Sequence, residues 1–271
     1  MLTSQLCSTE SLRSTALREW ANRLRPVWNP RGEDPRELML HRKMWEWLFI
    51  AEALSERDML TTGRTGLGFG VGMEPLVALF ASYGCDLVAT DQPPELAEAS
   101  GWADSTVEFA GGLAGLNDDG LCPSDQFDQR VRYRDVDMNA IPSDLRHFDF
   151  TWSSCALEHL GSLQAGADFV VAQLDCLRPG GVAVHTTEFT VSSNDATVET
   201  GATVLFRRRD IDALVERLRG AGHVIDIDYT EGTTPEDLHV DTPPFTDVHL
   251  RTTLGDYVTT SLALIIEKRT S

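Results

Sequence analysis

The sequence predicts an α/β protein: a mostly parallel, seven-stranded sheet with helices on both faces, preceded by an N-terminal helical cap. Three observations carry this expectation. From about residue 63 onward, short apolar runs alternate with segments of helical period. A glycine-rich run, Gly66-Leu67-Gly68-Phe69-Gly70-Val71-Gly72, stands between the first of those strands and the helix after it. The run Tyr257 to Glu267 is nearly continuous in apolar content, as a strand buried on both faces must be.

Taken in chain order, Leu12, Ala16, Leu17, Trp20 and Leu24 recur near helix spacing over residues 9–24. A break with three prolines follows at 25–35, then a stronger helix from about Arg36 to Leu54. Residues 1–62 therefore read as the cap and 63–271 as the main domain. The first strand lies around Leu67–Phe69, and its helix, from about Glu74 to Tyr83, stops at Gly84. Strand two is Asp86 to Thr90. Pro93-Pro94 delays the next helix, and 111–125 reads as an exposed loop. Further strands are expected at Val131–Val136, Phe148–Ser153 and Val182–Thr186, with a helix from Ala165 to Leu177. Asp210 suits the start of a helix whose apolar face is Ile211, Leu214, Val215 and Leu218. Val224–Tyr229 is the sixth strand. A polar excursion over 230–247 precedes the closing strand.

The chain has 271 residues, with 42 acidic against 23 basic side chains and a net charge of -19. A field of that sign repels nucleic acid and anionic membranes. No run reaches the about 18 apolar residues of a membrane helix, and Met1 to Leu6 lacks the basic and apolar regions of a secretory signal. A cytoplasmic location is the expectation, and assembly into a homo-oligomer is left open. The five cysteines are scattered, without metal-ligand spacing or disulfide-scaffold density.

Glycines at alternate positions remove side chains where a backbone lies against a ligand. Asp91, at the end of the second strand, suits a ribose hydroxyl pair. Together they predict a nucleotide-containing cofactor at the carboxyl ends of the strands, and a hydride-transfer enzyme would use the same geometry. The choice is narrowed by Asp137-Met138, by the stretch Phe148 to Leu160 with Glu158-His159, and by Leu177-Arg178-Pro179-Gly180-Gly181. With the glycine run, these motifs resemble those of class I S-adenosylmethionine-dependent methyltransferases, over roughly residues 63–190. The resemblance implies a Rossmann-like methyltransferase fold and S-adenosyl-L-methionine as cofactor. It implies contacts from Gly68, Phe69, Gly70, Gly72, Asp91, Gln92, Asp137, Met138, Ser153 and Ser154. In one place the chain departs from the pattern: the acid expected two positions before Gly68 is Gly66. Glu74 is a nearby acidic candidate for the methionine end.

Methyl transfer to a hydroxyl needs alignment of nucleophile and methyl group, exclusion of water and removal of a proton. His185, His159 and Glu188 are the candidate catalytic groups. His159 is the alternative to a Glu158-His159 pair that merely orders its loop, and His185 the alternative to a hydrogen-bonded structural histidine. A metal-assisted arrangement would hold Mg²⁺ through His185 and Glu188 with an Asp or His from 239–249. Trp47 is expected at the site mouth and Trp45 in the core. Arg207-Arg208-Arg209 is either an anion-binding run or a solvated face, and Pro243-Pro244-Phe245 with His249 could form part of an acceptor lid. The acceptor is expected to be a small molecule or glycan methylated on oxygen. The alternatives are carbon or nitrogen methylation of a secondary metabolite, a non-catalytic cofactor-binding protein, and an NAD enzyme.

Overall fold

The structure, a computed structural model, describes residues 1–28, 39–101, 109–246 and 248–269. The proline-rich break beyond Trp28 and the first residues expected for the helix at Arg36 lie outside these residues.

The N-terminal segment opens with strand β1 (Ser4–Leu6), helices α1 (Thr9–Leu12), α2 (Thr15–Arg23) and α3 (Arg25–Trp28), then β2 (Leu40–His41) and α4 (Arg42–Ser55). Ser8 and Ser14 cap α1 and α2 by accepting backbone N–H bonds. The main unit runs β3 (Thr65–Gly68), α5 (Leu76–Ser82), β4 (Asp86–Asp91), α6 (Pro94–Ser100), α7 (Ser124–Arg130), β5 (Val131–Asp135), β6 (Phe148–Ser154), α8 (Leu163–Ala172) and β7 (Leu177–Thr190). It ends with α9 (Arg208–Gly220), β8 (Ile227–Asp228), α10 (Pro235–Leu238), β9 (Val248–His249), β10 (Thr252–Leu254) and β11 (Tyr257–Glu267). Asp210 sits inside the first turn of α9 and accepts the Arg207 backbone N–H at 2.9 Å.

The main sheet runs β5-β4-β3-β6-β7-β11-β1-β8, with β10 paired to β11. The expectation of seven mostly parallel strands is corrected: the sheet is mixed and has nine strands among the described residues. β11 lies antiparallel to both β7 and β1. The strands missed by periodicity are β1 and β10, whose three residues each are too few to show alternation. β1 is the more consequential. It enters the sheet between β11 and β8, so the N-terminal segment is not purely helical. Strand order reverses between β3 and β6, which places a switch point at their carboxyl ends.

Two cores sandwich the sheet. On one face Trp45, Phe49, Phe80, Phe150 and Trp152 pack with α2, α4 and α5. On the other, Phe69, Phe169, Leu214 and Leu264 pack with α8 and α9. Register explains two of the glycines. Gly66 pairs with Phe150 and Gly68 with Trp152 across β3 and β6. A Cβ at Gly66 would stand 2.4 Å from the Phe150 ring, and one at Gly68 2.4 Å from Trp152. These two glycines make room for aromatic rings of the neighbouring strand.

Candidate functional site

The carboxyl ends of β3, β4, β5 and β6 converge on the glycine loop. Gly70 and Gly72 have φ of +56° and +51°, the left-handed region that favours glycine. A Cβ at Gly70 would approach Ala156 to 2.9 Å and the Met138 sulfur to 3.5 Å. The loop is therefore a bare backbone cradle beside Met138. Asp91, 5% exposed, accepts the backbone N–H groups of Gly72 (3.1 Å), Ala110 (3.1 Å) and Gln92 (2.8 Å). Burial pushes its carboxyl above the usual range in spite of those donors, and Asp135 adds to the rise. Asp137 is half-buried, and its carboxylate accepts the Asn139 N–H at 2.8 Å.

Not every residue expected at the cofactor faces the loop with its side chain. Phe69 is fully buried, edge-on to Phe169 with ring centroids 5.1 Å apart. The Ser153 hydroxyl lies 2.8 Å from His185 Nδ1. Ser154 points the other way, donating to Glu46 at 3.1 Å and receiving from Lys43 at 3.3 Å. Successive side chains on β6 point to opposite faces of the sheet, which is why neighbouring serines part.

The same alternation divides the candidate catalytic groups on β7. His185 and Thr187 face α8: the His185 ring meets Phe169 edge-on at 5.5 Å, and Thr187 donates to Glu158 at 3.1 Å. Thr186 and Glu188 face α4, with Thr186 donating to Glu46 at 3.3 Å and Glu188 ion-paired to Arg42. His185 is 0% exposed, and burial alone takes its pKa down to about 3. Its Nε2 is buried with no hydrogen-bond partner. His159 lies on the turn after β6, its Nδ1 2.9 Å from the Ala202 carbonyl and 3.2 Å from the Thr203 hydroxyl. The buried Glu158 carboxylate ties that turn to β7 through Thr187 and the Glu188 N–H.

His185 and Glu188, on opposite faces, do not converge on one metal position. Among the described residues, no group of three or more His, Cys, Asp or Glu is arranged to hold a metal ion.

Sequence reasoning missed the charged start of α4. Glu46 is 0% exposed and accepts from Lys43 (3.0 Å), Ser154, Cys155 (3.0 Å), Thr186 and Ser261. These donors bring together the ends of β6 and β7 and the middle of β11. Burial opposes its charge, yet Lys43 and Arg42, with Ser261 and Cys155 donating, hold its pKa down to about 2. Lys43 also reaches Glu74 Oε1 at 3.2 Å. The signal in the sequence was Arg42-Lys43-Met44-Trp45-Glu46, two cations and an acid one turn apart, leading an apolar helix. Cys155 follows β6 with φ +48°, a left-handed conformation uncommon for a residue with a side chain.

The segment after the outer excursion packs against the residues just before α4. β9 pairs in parallel with β2, and His41 stacks on His249 with centroids 4.7 Å apart. His249 Nδ1 lies 2.7 Å from the buried Asp241 carboxylate. His41 Nδ1 accepts the Lys43 N–H and caps α4. Burial, with His249 and Arg42 alongside, lowers the His41 pKa to about 4. Trp45 is core and donates to Ser11, while Trp47 is half-buried. Arg207 is buried and paired with Asp210 and Glu199. Arg208 lies over the Tyr229 ring at 4.7 Å, so this run is largely engaged by the protein itself.

No protein-family model and no curated protein matches this chain. Solved structures do. The [4+2]-cyclase SpnF is 13% identical, with 99% of this chain and 100% of that one covered and a TM-score of 0.54. A putative methyltransferase from Bacillus halodurans C-125 is 15% identical over 82% of this chain and 99% of its own, with a TM-score of 0.49. The glycopeptide N-methyltransferase MtfA is 14% identical over 80% and 94%, with a TM-score of 0.46. At such identities the likeness is one of fold. The molecule has a class I S-adenosylmethionine-dependent methyltransferase-like fold. A fold hosts many chemistries, so the site must argue the function. No helix of the described residues is long and apolar enough to cross a membrane.

Proposed function

We propose that this chain binds S-adenosyl-L-methionine and transfers its methyl group to a hydroxyl of a small molecule or glycan. One observation carries the reading. At the switch point of the sheet, the bare Gly70–Gly72 backbone is tied by a hydrogen bond to an acid at the end of the adjacent strand, Asp91. That combination suits a nucleoside: open backbone for the ligand, and remaining acceptor capacity on Asp91 for a ribose hydroxyl. In this reading Asp137 accepts from the adenine amine, and Met138, which borders the loop, lies beside it.

When bound, the sulfonium supplies an electrophilic methyl group. The chain's own part is to orient the acceptor, exclude water and take a proton. Glu188 fits the last role best of the three candidates. Its Oε2 is buried and unpartnered, and burial raises its carboxyl against the pull of Arg42, which strengthens it as a base. His185, deep against Phe169 with its pKa at about 3, reads as a structural histidine. His159 with Glu158 reads as the order of the loop. A metal-assisted step has no ligand set in support among the described residues.

Two other readings keep a foothold. Carbon or nitrogen methylation would use the same donor site with less need of a base. A protein that keeps the donor site without methyl transfer is the second, favoured by Gly66, where the resembling family carries an acid.

Calorimetry with S-adenosylhomocysteine and with NADH tests the site. Binding of the first and not the second is expected, and Asp91→Ala should weaken it by about 10-fold or more. NADH binding in place of S-adenosylhomocysteine overturns the reading. With binding established, Glu188→Gln should retain it while turnover of labelled methyl groups falls by about 100-fold.

A further inference from the structure

The acid that the resembling family places two residues before its first glycine has no room here. A Cβ at Gly66 meets Phe150 at 2.4 and 2.5 Å and Leu87 at 2.9 Å, so an aspartate or glutamate there would be driven into two buried side chains. The amino-acid end of the donor is a zwitterion and needs one group of each sign. Such a pair lies just beyond the glycine loop. Glu74, two residues after Gly72, has a side chain 13% exposed and is paired with Lys43 at 3.2 Å. Lys43 also reaches Ser154 at the end of β6, so its ammonium spans the switch point from the β6 side to the loop side. Of the carboxylates around Lys43, Glu46 is filled by donors from three strand regions, whereas Lys43 is the basic side chain ion-paired to Glu74.

Resting on the donor site proposed above, we infer that Glu74 and Lys43 together hold the amino-acid end of the donor, the Glu74 carboxylate taking its α-ammonium and the Lys43 ammonium its α-carboxylate. In the absence of donor the two side chains satisfy each other. The incoming zwitterion replaces one ion pair with two of the same kind, and Lys43 keeps Glu46 throughout. Burial raises the Glu74 carboxyl in spite of Lys43, as expected of an acid short of positive charge. The acid has thus moved from the strand to the first residues after the glycine loop, and its counter-charge comes from the N-terminal helix.

The test compares S-adenosylhomocysteine with 5′-methylthioadenosine, which has the same nucleoside and thioether but no amino-acid end. The wild-type chain should prefer S-adenosylhomocysteine. Glu74→Gln and Lys43→Met should each weaken S-adenosylhomocysteine by about 10- to 100-fold and leave methylthioadenosine within about 2-fold. Retained methylthioadenosine binding also reports an intact fold, and Glu74→Gln is the milder change because Lys43 keeps Glu46 as partner. An unchanged preference in Glu74→Gln, or equal losses for both ligands, overturns the assignment. A wild-type chain that binds methylthioadenosine with no preference for S-adenosylhomocysteine overturns it too, and leaves the nucleoside site standing. Failure of the wild type to bind either ligand removes the donor site and this assignment with it.

Discussion

Glu46 shows what a single residue decides in this molecule. It is a carboxylate with no exposure, set among Met44, Trp45, Leu48 and Phe49, and it is stable there because Lys43 and hydroxyls from three strands point at it. Without Glu46 those hydroxyls lose their acceptor, at about 1–3 kcal/mol for a buried polar group left unsatisfied, while Lys43 keeps Glu74. Glu46→Ala should therefore lower the urea midpoint by a corresponding amount, and an unchanged midpoint would show that the network carries no stability. The ribose candidate Asp91 was legible in the sequence, because its position at a strand end follows from local pattern. Glu46 was not. A lone acid in an apolar helix looks like a surface position until the donors from residues 154, 186 and 261 arrive. The roles of Ser153 and Ser154 were hidden for a related reason. Which of two adjacent serines faces the loop side depends on the absolute register of β6, and sequence fixes only that they differ.

At the scale of elements, β3 and β6 are matched by size. Gly66 and Gly68 face Phe150 and Trp152 in register, and the two rings pack on Phe80 of α5. Overfilling a close-packed contact costs about 1–3 kcal/mol. Gly66→Ala should destabilise by at least that much in urea unfolding, and trimming the ring with Phe150→Leu in the same chain should recover part of the loss. If Gly66→Ala folds with wild-type stability, the steric reason for the missing acid fails. The sequence pattern puts a strand around Leu67–Phe69 within the glycine run and gives Gly68, Gly70 and Gly72 to the ligand. The structure divides the run: the first two glycines serve sheet packing, and Gly70 and Gly72 make the turn. β7 is also longer than its Val182 core suggested, because the Arg178-Pro179-Gly180-Gly181 stretch is carried inside the strand.

For the whole molecule, acid sensitivity follows from buried groups. His185 and His41 have folded pKa values of about 3 and about 4 against 6.5 ordinarily, and Glu46 about 2 against 4.5. Each folded value lies below the unfolded one, so between the two the unfolded chain binds more protons and stability rises with pH. The contribution of the histidines is complete above about 6.5 and declines as pH falls toward their folded values. That of Glu46 is lost from 4.5 down to about 2. Glu74, Glu188 and Asp91 are raised by burial and act in the opposite sense, upward from their ordinary values. The contribution of the two histidines falls through the window from pH 6.5 to about 4. Urea midpoints should fall across it, and His185→Asn should flatten the decline; a slope untouched by that change would remove His185 as a cause. The sequence by itself determined the alternation of strands and helices, the glycine turn, the acid at the end of the second strand and the closing strand, because each is written in spacing or in backbone chemistry over a few residues. Only the tertiary structure decided that Ser4–Leu6 joins the sheet, that Glu188 faces α4 while His185 faces α8, and that Lys43 reaches Glu74 and Ser154. Those facts depend on contacts between residues 31 to more than 200 positions apart, and no local pattern encodes which distant partner a strand or a charge will meet.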